Sequence, residues 1–197
     1  MGNNLTLEKS KLNSMRKLIY GINLTLDGCC DHTKGGGYED VHEYFTDFMR
    51  EGDLLVYGRI TYELMVPFWP NVARNQSMDE VANEFARVFD SKDKLVFSRT
   101  LETAEDEKTR IVRTNLRDEI IKLKQQEGRN ILLGGVDLPS QLIEMGLVDE
   151  FHFVIQPIIA GAGRRLFDRT NLVETLDLQL VESKVLKSGC VALHYVK

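Results

Sequence analysis

Apolar residues follow two rhythms along this chain, short unbroken runs and stretches at helical spacing. The run LIYGINLTL at 18–26 reads as a buried strand, stopped by the turn pair Asp27 and Gly28. After a glycine-rich loop at 34–37, helical spacing appears at Val41, Tyr44, Phe45 and Phe48. Glu39 and Asp40 stand where the positive end of that helix favours carboxylates. DLLVY at 53–57 is a second strand ending at Gly58, with a brief helix from about Thr61 that the segment Pro67, Phe68, Trp69 and Pro70 breaks. Ser77 and Glu80 form a capping box that opens a helix through about Phe89. Strand-like pieces follow at 94–97 and 110–113, and Asn115 caps a helix over 116–126 that stops at Gly128. NILL at 130–133 is another buried strand, succeeded by Gly134, Gly135 and a helix through Leu142 and Ile143. A strand at 150–157 precedes a hairpin of 176–185 and 190–196. In it Leu176, Leu178 and Leu180 alternate, as do Val191, Leu193 and Tyr195, making one buried sheet face.

Strands alternate with helices early and follow one another late. That order predicts an α/β fold with a mixed sheet, parallel in its first part and closed by an antiparallel C-terminal hairpin. No linker divides the chain, so one domain over 15–197 is expected, preceded by a polar, unpatterned tail at 1–14.

Composition narrows the function classes. With 43% hydrophobic and 28% charged residues the chain can bury a sizeable core. The net charge of −5 and the scattered basic residues offer no footprint for a nucleic-acid backbone. No apolar run reaches membrane-spanning length, and the first residues lack the apolar stretch of a secretory signal. Gly2 and Thr6 match the loose myristoylation pattern, but no basic cluster supplies a second anchoring signal. Three cysteines, two of them adjacent, form no disulfide framework and point to a reducing cytoplasm. The four histidines show no metal-ligand spacing with the cysteines, and no metal is expected.

The chemistry gathers at strand ends. Gly134 and Gly135 followed by Val136 at a strand–helix junction let a ligand approach the backbone, and the helix N-terminus suits a pyrophosphate; the same residues also serve a plain turn. The G-x-G-x-x-G fingerprint is absent there. Gly58, Arg59 and Thr61 follow another strand, with a guanidinium and a hydroxyl able to bind phosphate oxygens. Ser98 and Arg99 follow a third. Ligands gather at the carboxyl ends of strands in open α/β sheets, so three phosphate-suited ends count together. Phe68 and Trp69 can wall a pocket for a planar ring, or simply pack a loop. Asp27 is a turn former or an acid, and Asp31 with His32 is a relay pair or a solvated loop pair.

LTLDG, GRITYE, SRTL, the double glycine before a helix and PIIAGAGRRLF, in this order, resemble the dihydrofolate reductase superfamily. Within it the chain is most similar to the branch of the C-terminal reductase domain of the riboflavin-pathway bifunctional enzyme. The resemblance runs from about Lys17 to the C-terminus. It implies a three-layer fold, a mixed and mainly parallel sheet with helices on both faces. It also implies an NADPH-dependent reductase of a pyrimidine or pterin, most like 5-amino-6-(5-phosphoribosylamino)uracil reductase. Dihydrofolate reductase and a non-catalytic NADPH-binding module are the alternatives. Gly58, Arg59 and Thr61 would line the phosphates, Ser98 and Arg99 the 2′-phosphate, Gly134, Gly135 and Val136 the pyrophosphate, and Ile22 and Asn23 the nicotinamide. Asp40, with Tyr44 one turn later, best matches the family's ring-orienting acid, while its position at a helix start favours an ordinary helix-start carboxylate; Asp27 and Asp31 are the other acids available. Tyr44, Phe68 and Trp69 would face the heterocyclic substrate. The Pro-Trp element of folate reductases is missing, and Leu133 stands where riboflavin-pathway reductases carry Glu. A homodimer is implied by analogy alone.

Overall fold

Four apolar runs become the middle of one sheet because each has a covering layer on both faces. They are β1 (Leu18–Thr25), β2 (Gly52–Gly58), β3 (Asp93–Phe97) and β5 (Asn130–Leu133). The computed structural model describes residues 15–197, so the tail at 1–14 and the Gly2 pattern lie outside the described residues. With β4 (Thr109–Val112), β6 (Glu150–Gln156), β7 (Gln179–Val185) and β8 (Val191–Val196) the sheet has eight strands, in the order β4, β3, β2, β5, β1, β6, β8, β7. Neighbours from β4 to β6 are parallel, and β8 runs antiparallel between β6 and β7.

Strand alternation sorts the core into two layers. Leu18, Tyr20, Val56, Leu95, Ile131 and Leu133 face α5 (Leu116–Lys124) and α6 (Asp137–Glu144). Ile19, Leu55, Tyr57, Val96 and Leu132 point the other way, onto Phe48 of α1 (Glu39–Arg50), Tyr62 of α2 (Arg59–Met65) and Phe85 and Phe89 of α4 (Glu80–Ser91). The α/β class and the parallel sheet with a late hairpin are therefore as the sequence pattern implies.

Three local readings are corrected. The Pro67–Pro70 segment does not only break a helix: it starts α3 (Trp69–Asn75), because a proline in the first turn has no N–H to leave unpaired. The cap of α4 is Asp79, whose carboxylate accepts from the Ala82 amide at 2.8 Å, and not Ser77. The first hairpin strand is no buried face. β7 begins only at Gln179, is exposed throughout at the sheet edge, and leaves Leu180 50% exposed, while Leu176 and Leu178 pack on the core before the strand starts.

Candidate functional site

Parallel strands bring their carboxyl ends to one edge of the sheet, and there a cavity of about 1080 Å³ opens. Ile22 and Asn23 of β1, Gly58, Arg59 and Thr61 after β2, Ser98 and Arg99 after β3, and Gly134, Gly135 and Val136 after β5 all line it. These ten positions, spread over more than a hundred residues of chain, are brought together by the strand order β3, β2, β5, β1.

The double glycine is built for close approach. Gly135 sits at φ +93°, where other residues are strained, and a Cβ on it would collide with Oγ1 of Thr61; a Cβ on Gly134 would lie 2.6 Å from the Tyr57 ring. Tyr20 Oη donates to the Gly135 carbonyl at 2.7 Å, which fixes this turn against β1, and burial raises the Tyr20 pKa. No side chain caps the amides that open α6. Ser98 Oγ accepts from the Leu101 and Thr100 amides at 2.9 and 3.2 Å, which sets the loop after β3 and leaves its own proton free to donate. Arg99 is exposed and makes no hydrogen bond or ion pair with another described residue, whereas Arg59 is paired with Glu63 at 2.7 Å. A backbone cradle that tolerates no Cβ, uncapped helix amides and an unengaged guanidinium fit a dinucleotide bearing an extra phosphate.

PIIAGAGRRLF borders the cavity through Arg164. Asp27 binds it: its carboxylate accepts from the Thr25 hydroxyl at 2.6 Å and from the Ala160 and Gly161 amides at 3.0 Å each, with Arg165 beside it. The Thr25 hydroxyl and these amides hold its carboxyl far below the usual range. Arg164 pairs with Asp137 on the first turn of α6, tying the same loop to the double-glycine side. The glycine loop at 35–37 is held by Gln156, which is 2% exposed and accepts from the Gly36 amide at 2.8 Å.

Each of the three acids read from the sequence has its carboxylate engaged by neighbouring groups in this arrangement. Asp27 is a fastener outside the cavity lining. Asp31 lines the cavity, but its carboxylate caps Thr33 through the amide (2.9 Å) and hydroxyl (2.8 Å), and these bonds lower its pKa. Asp40 is turned away: its Oδ2 accepts from the Ser188 amide at 2.7 Å in the β7–β8 turn, and Val41 takes the cavity-facing position. One residue on a helix is a rotation of about 100°. Tyr44 shares that outward face, its hydroxyl 2.8 Å from His152 Nδ1, and touches no part of the cavity. Phe68 and Trp69 do line it. Sequence reasoning missed His42 and Gln156; the i, i+3 spacing from His42 to Phe45 would have placed His42 on the cavity face of α1, but nothing local marks Gln156.

The family model described as RibD C-terminal domain matches residues 16–192. An uncharacterized protein of Bacillus subtilis, YyaP, is 33% identical over 185 residues, covering 91% of this chain and 94% of that one. A putative riboflavin biosynthesis protein from Shewanella sp. PV-4 superposes with a TM-score of 0.70 at 22% identity, over 91% of this chain and 98% of the other. A Thermotoga maritima structure, a diaminohydroxyphosphoribosylaminopyrimidine deaminase/5-amino-6-(5-phosphoribosylamino)uracil reductase, gives 0.59 at 13% identity, over 94% of this chain but 57% of that longer protein. At these identities the two structures establish the fold.

Proposed function

From a chain that belongs to the RibD C-terminal domain family, we propose an NADPH-dependent reductase of a flat nitrogen heterocycle, of the pyrimidine or pterin class, with the aminouracil reductase reaction as its nearest model. One observation carries the reading: three phosphate-suited strand ends and the Ile22 and Asn23 stretch of β1 line a single cavity. The cofactor, when bound, supplies the hydride.

The work of the protein is positioning. Arg99 and Ser98 would grip the 2′-phosphate by charge-assisted hydrogen bonds, and Gly134, Gly135 and the opening amides of α6 would take the pyrophosphate. Ile22 and Asn23 would then lie under the nicotinamide, with the apolar side of the cavity keeping water from the reacting face. A second reading, a non-catalytic NADPH-binding module, is favoured by the hydrogen bonds that already engage Asp27 and Asp31 within their own loops.

Titration of nicotinamide fluorescence, followed by anaerobic turnover with a panel of aminouracils and pterins, tests both. A reductase binds NADPH and consumes it with at least one ring. A module binds it and consumes none, and absence of binding rejects the two together.

The free cysteines support a cytoplasmic setting. Among the described residues no helix is long and apolar enough to cross a membrane. Partners would be the small heterocycle and, by family analogy, a second copy of the chain, with no nucleic acid; sedimentation measures the latter.

A further inference from the structure

The two ends of the cavity differ in chemistry. Toward β3 and β5 the lining carries arginines, hydroxyls and backbone amides. Toward α1, α2, α3 and α4 it is formed by Phe45, Met49, Met65, Trp69 and Phe85, and residues 41–49, 64–69 and 85 contribute no charged side chain to it. The rings form a box. Trp69 lies 4.5 Å from Phe85 and 4.9 Å from Phe68 between centroids, and His42 stands edge-on to Trp69 at 5.7 Å. Aromatic faces set at such angles are suited to stacking and edge contacts with a planar guest.

A second observation lies at the mouth. Ile60, Leu64 and Phe68, four residues apart along α2 and its exit, are 62%, 44% and 49% exposed, and all three line the cavity. They form an apolar stripe in water that no described part of the fold covers. Such a stripe running into a pocket is the mark of a ligand with apolar surface.

His42 is the titratable member of the wall. Burial lowers its pKa, so at neutral pH it is an uncharged imidazole offering one donor and one acceptor. Its ring makes no hydrogen bond with another described residue. Of the arginines that line the cavity, Arg164 is engaged by Asp137, Arg59 by Glu63, and Arg99 follows β3 at the polar end, so a phosphate placed against this wall would be desolvated with no unpaired cation from the helix layer.

We propose that this end of the cavity takes an uncharged planar ring bearing an apolar substituent, which lies along Ile60, Leu64 and Phe68, and that it disfavours a phosphorylated sugar at the same place. The inference rests on the reductase reading for the bond reduced, but its binding claim stands on the wall itself. Substrate choice in this chain is then set by the helix layer, apart from the cofactor cradle.

The test uses two ligands with one ring: 5-amino-6-(benzylamino)uracil and 5-amino-6-(5-phosphoribosylamino)uracil. Calorimetry on the full chain measures affinity, and Trp69, the single tryptophan, reports the place of binding through its emission. The benzyl compound is expected to bind at least about tenfold more tightly and to perturb Trp69, a discrimination of the size a hydrophobic pocket supplies. The double variant Ile60→Ser, Leu64→Ser, outside the aromatic box, should cut the affinity for the benzyl compound about tenfold and spare the phosphorylated one. Equal or tighter binding of the phosphoribosyl compound overturns the proposal, as do an unmoved Trp69 emission or an unchanged affinity in the double variant. NADPH titration of the same samples is read separately: its failure counts against the reductase reading and leaves the comparison of the two rings intact.

Discussion

Gly135, just after β5, and Thr61, in the first turn of α2, meet so closely that a single added Cβ on the glycine would strike the threonine hydroxyl. The strands that precede them are adjacent in the sheet, so the contact joins two phosphate-suited strand ends into one cradle. A side chain at Gly135 would fill the cradle from its floor.

Gly135→Asp is therefore expected to abolish cofactor binding. It combines a positive φ, a collision with Thr61 and a negative charge facing the pyrophosphate position. Loss of two or more charge-assisted hydrogen bonds, at about 1.5–3 kcal/mol each, corresponds to a hundredfold or greater drop in NADPH affinity. Circular dichroism with a fluorescence titration checks it; a folded variant with native affinity would make the two glycines an ordinary turn.

Arg99 should decide between the two nicotinamide dinucleotides. The residue is exposed and makes no hydrogen bond or ion pair with another described residue, so Arg99→Ala breaks no such contact. NADPH binding is expected to weaken about ten- to a hundredfold, the scale of one charge-assisted contact, with NADH almost unaffected. Equal losses for both cofactors would show that Arg99 does not meet the 2′-phosphate.

Asp40→Asn should act on stability and leave catalysis alone. The carboxylate holds the Ser188 amide of the hairpin turn, and its other oxygen is buried without a partner. An asparagine keeps the acceptor but loses its charge, for a cost of about 1 kcal/mol and a Tm lowered by about 2–4 °C. Turnover with any validated substrate should match that of the native chain. A large fall in turnover with an unshifted Tm would restore Asp40 to the site.

Acid should destabilise the fold through His152. This ring is stacked on His194 across β6 and β8 at 4.1 Å and bonded to Tyr44, with Glu150 and Lys17 on the same side. Burial first, then the neighbouring His194, pushes its pKa down to about 4 from an ordinary 6.5. Between those values the unfolded chain binds a proton that the folded one refuses, so stability is full above about pH 6.5 and falls as pH drops toward 4. Glu150, which burial would raise but Lys17 and His194 together hold below the usual carboxylate range, adds a loss of the same sign at the lower end. Urea unfolding at pH 7 and pH 5 should differ by on the order of 2 kcal/mol, and His152→Gln should flatten the difference. A native profile with the same slope in the variant would assign the acid sensitivity elsewhere.

Several features were legible because they are local. Unbroken apolar runs identify strands buried on both faces whatever covers them, and Asn115 caps its helix through the Asp118 amide as its position implied. The strand ends at Gly58, Ser98 and Gly134 could be read as phosphate-suited for the same reason: glycine, arginine and hydroxyl chemistry is written in a few consecutive residues.

What tertiary structure alone decided is which way each side chain faces and which distant chains meet. Asp40 and Val41 are neighbours in sequence, yet packing of α1 aims one at the β7–β8 turn and the other at the cavity. His152 and His194 become a stacked pair only through the antiparallel register of β6 and β8, and the aromatic box needs rings from α1, α3 and α4. Local propensity depends on backbone conformation over a few residues, while a helix's rotation and a strand's register are set by the apolar surface buried against the rest of the chain. Motifs therefore marked the strand ends that line the cavity, and only the packed helix layer determined what stands opposite them.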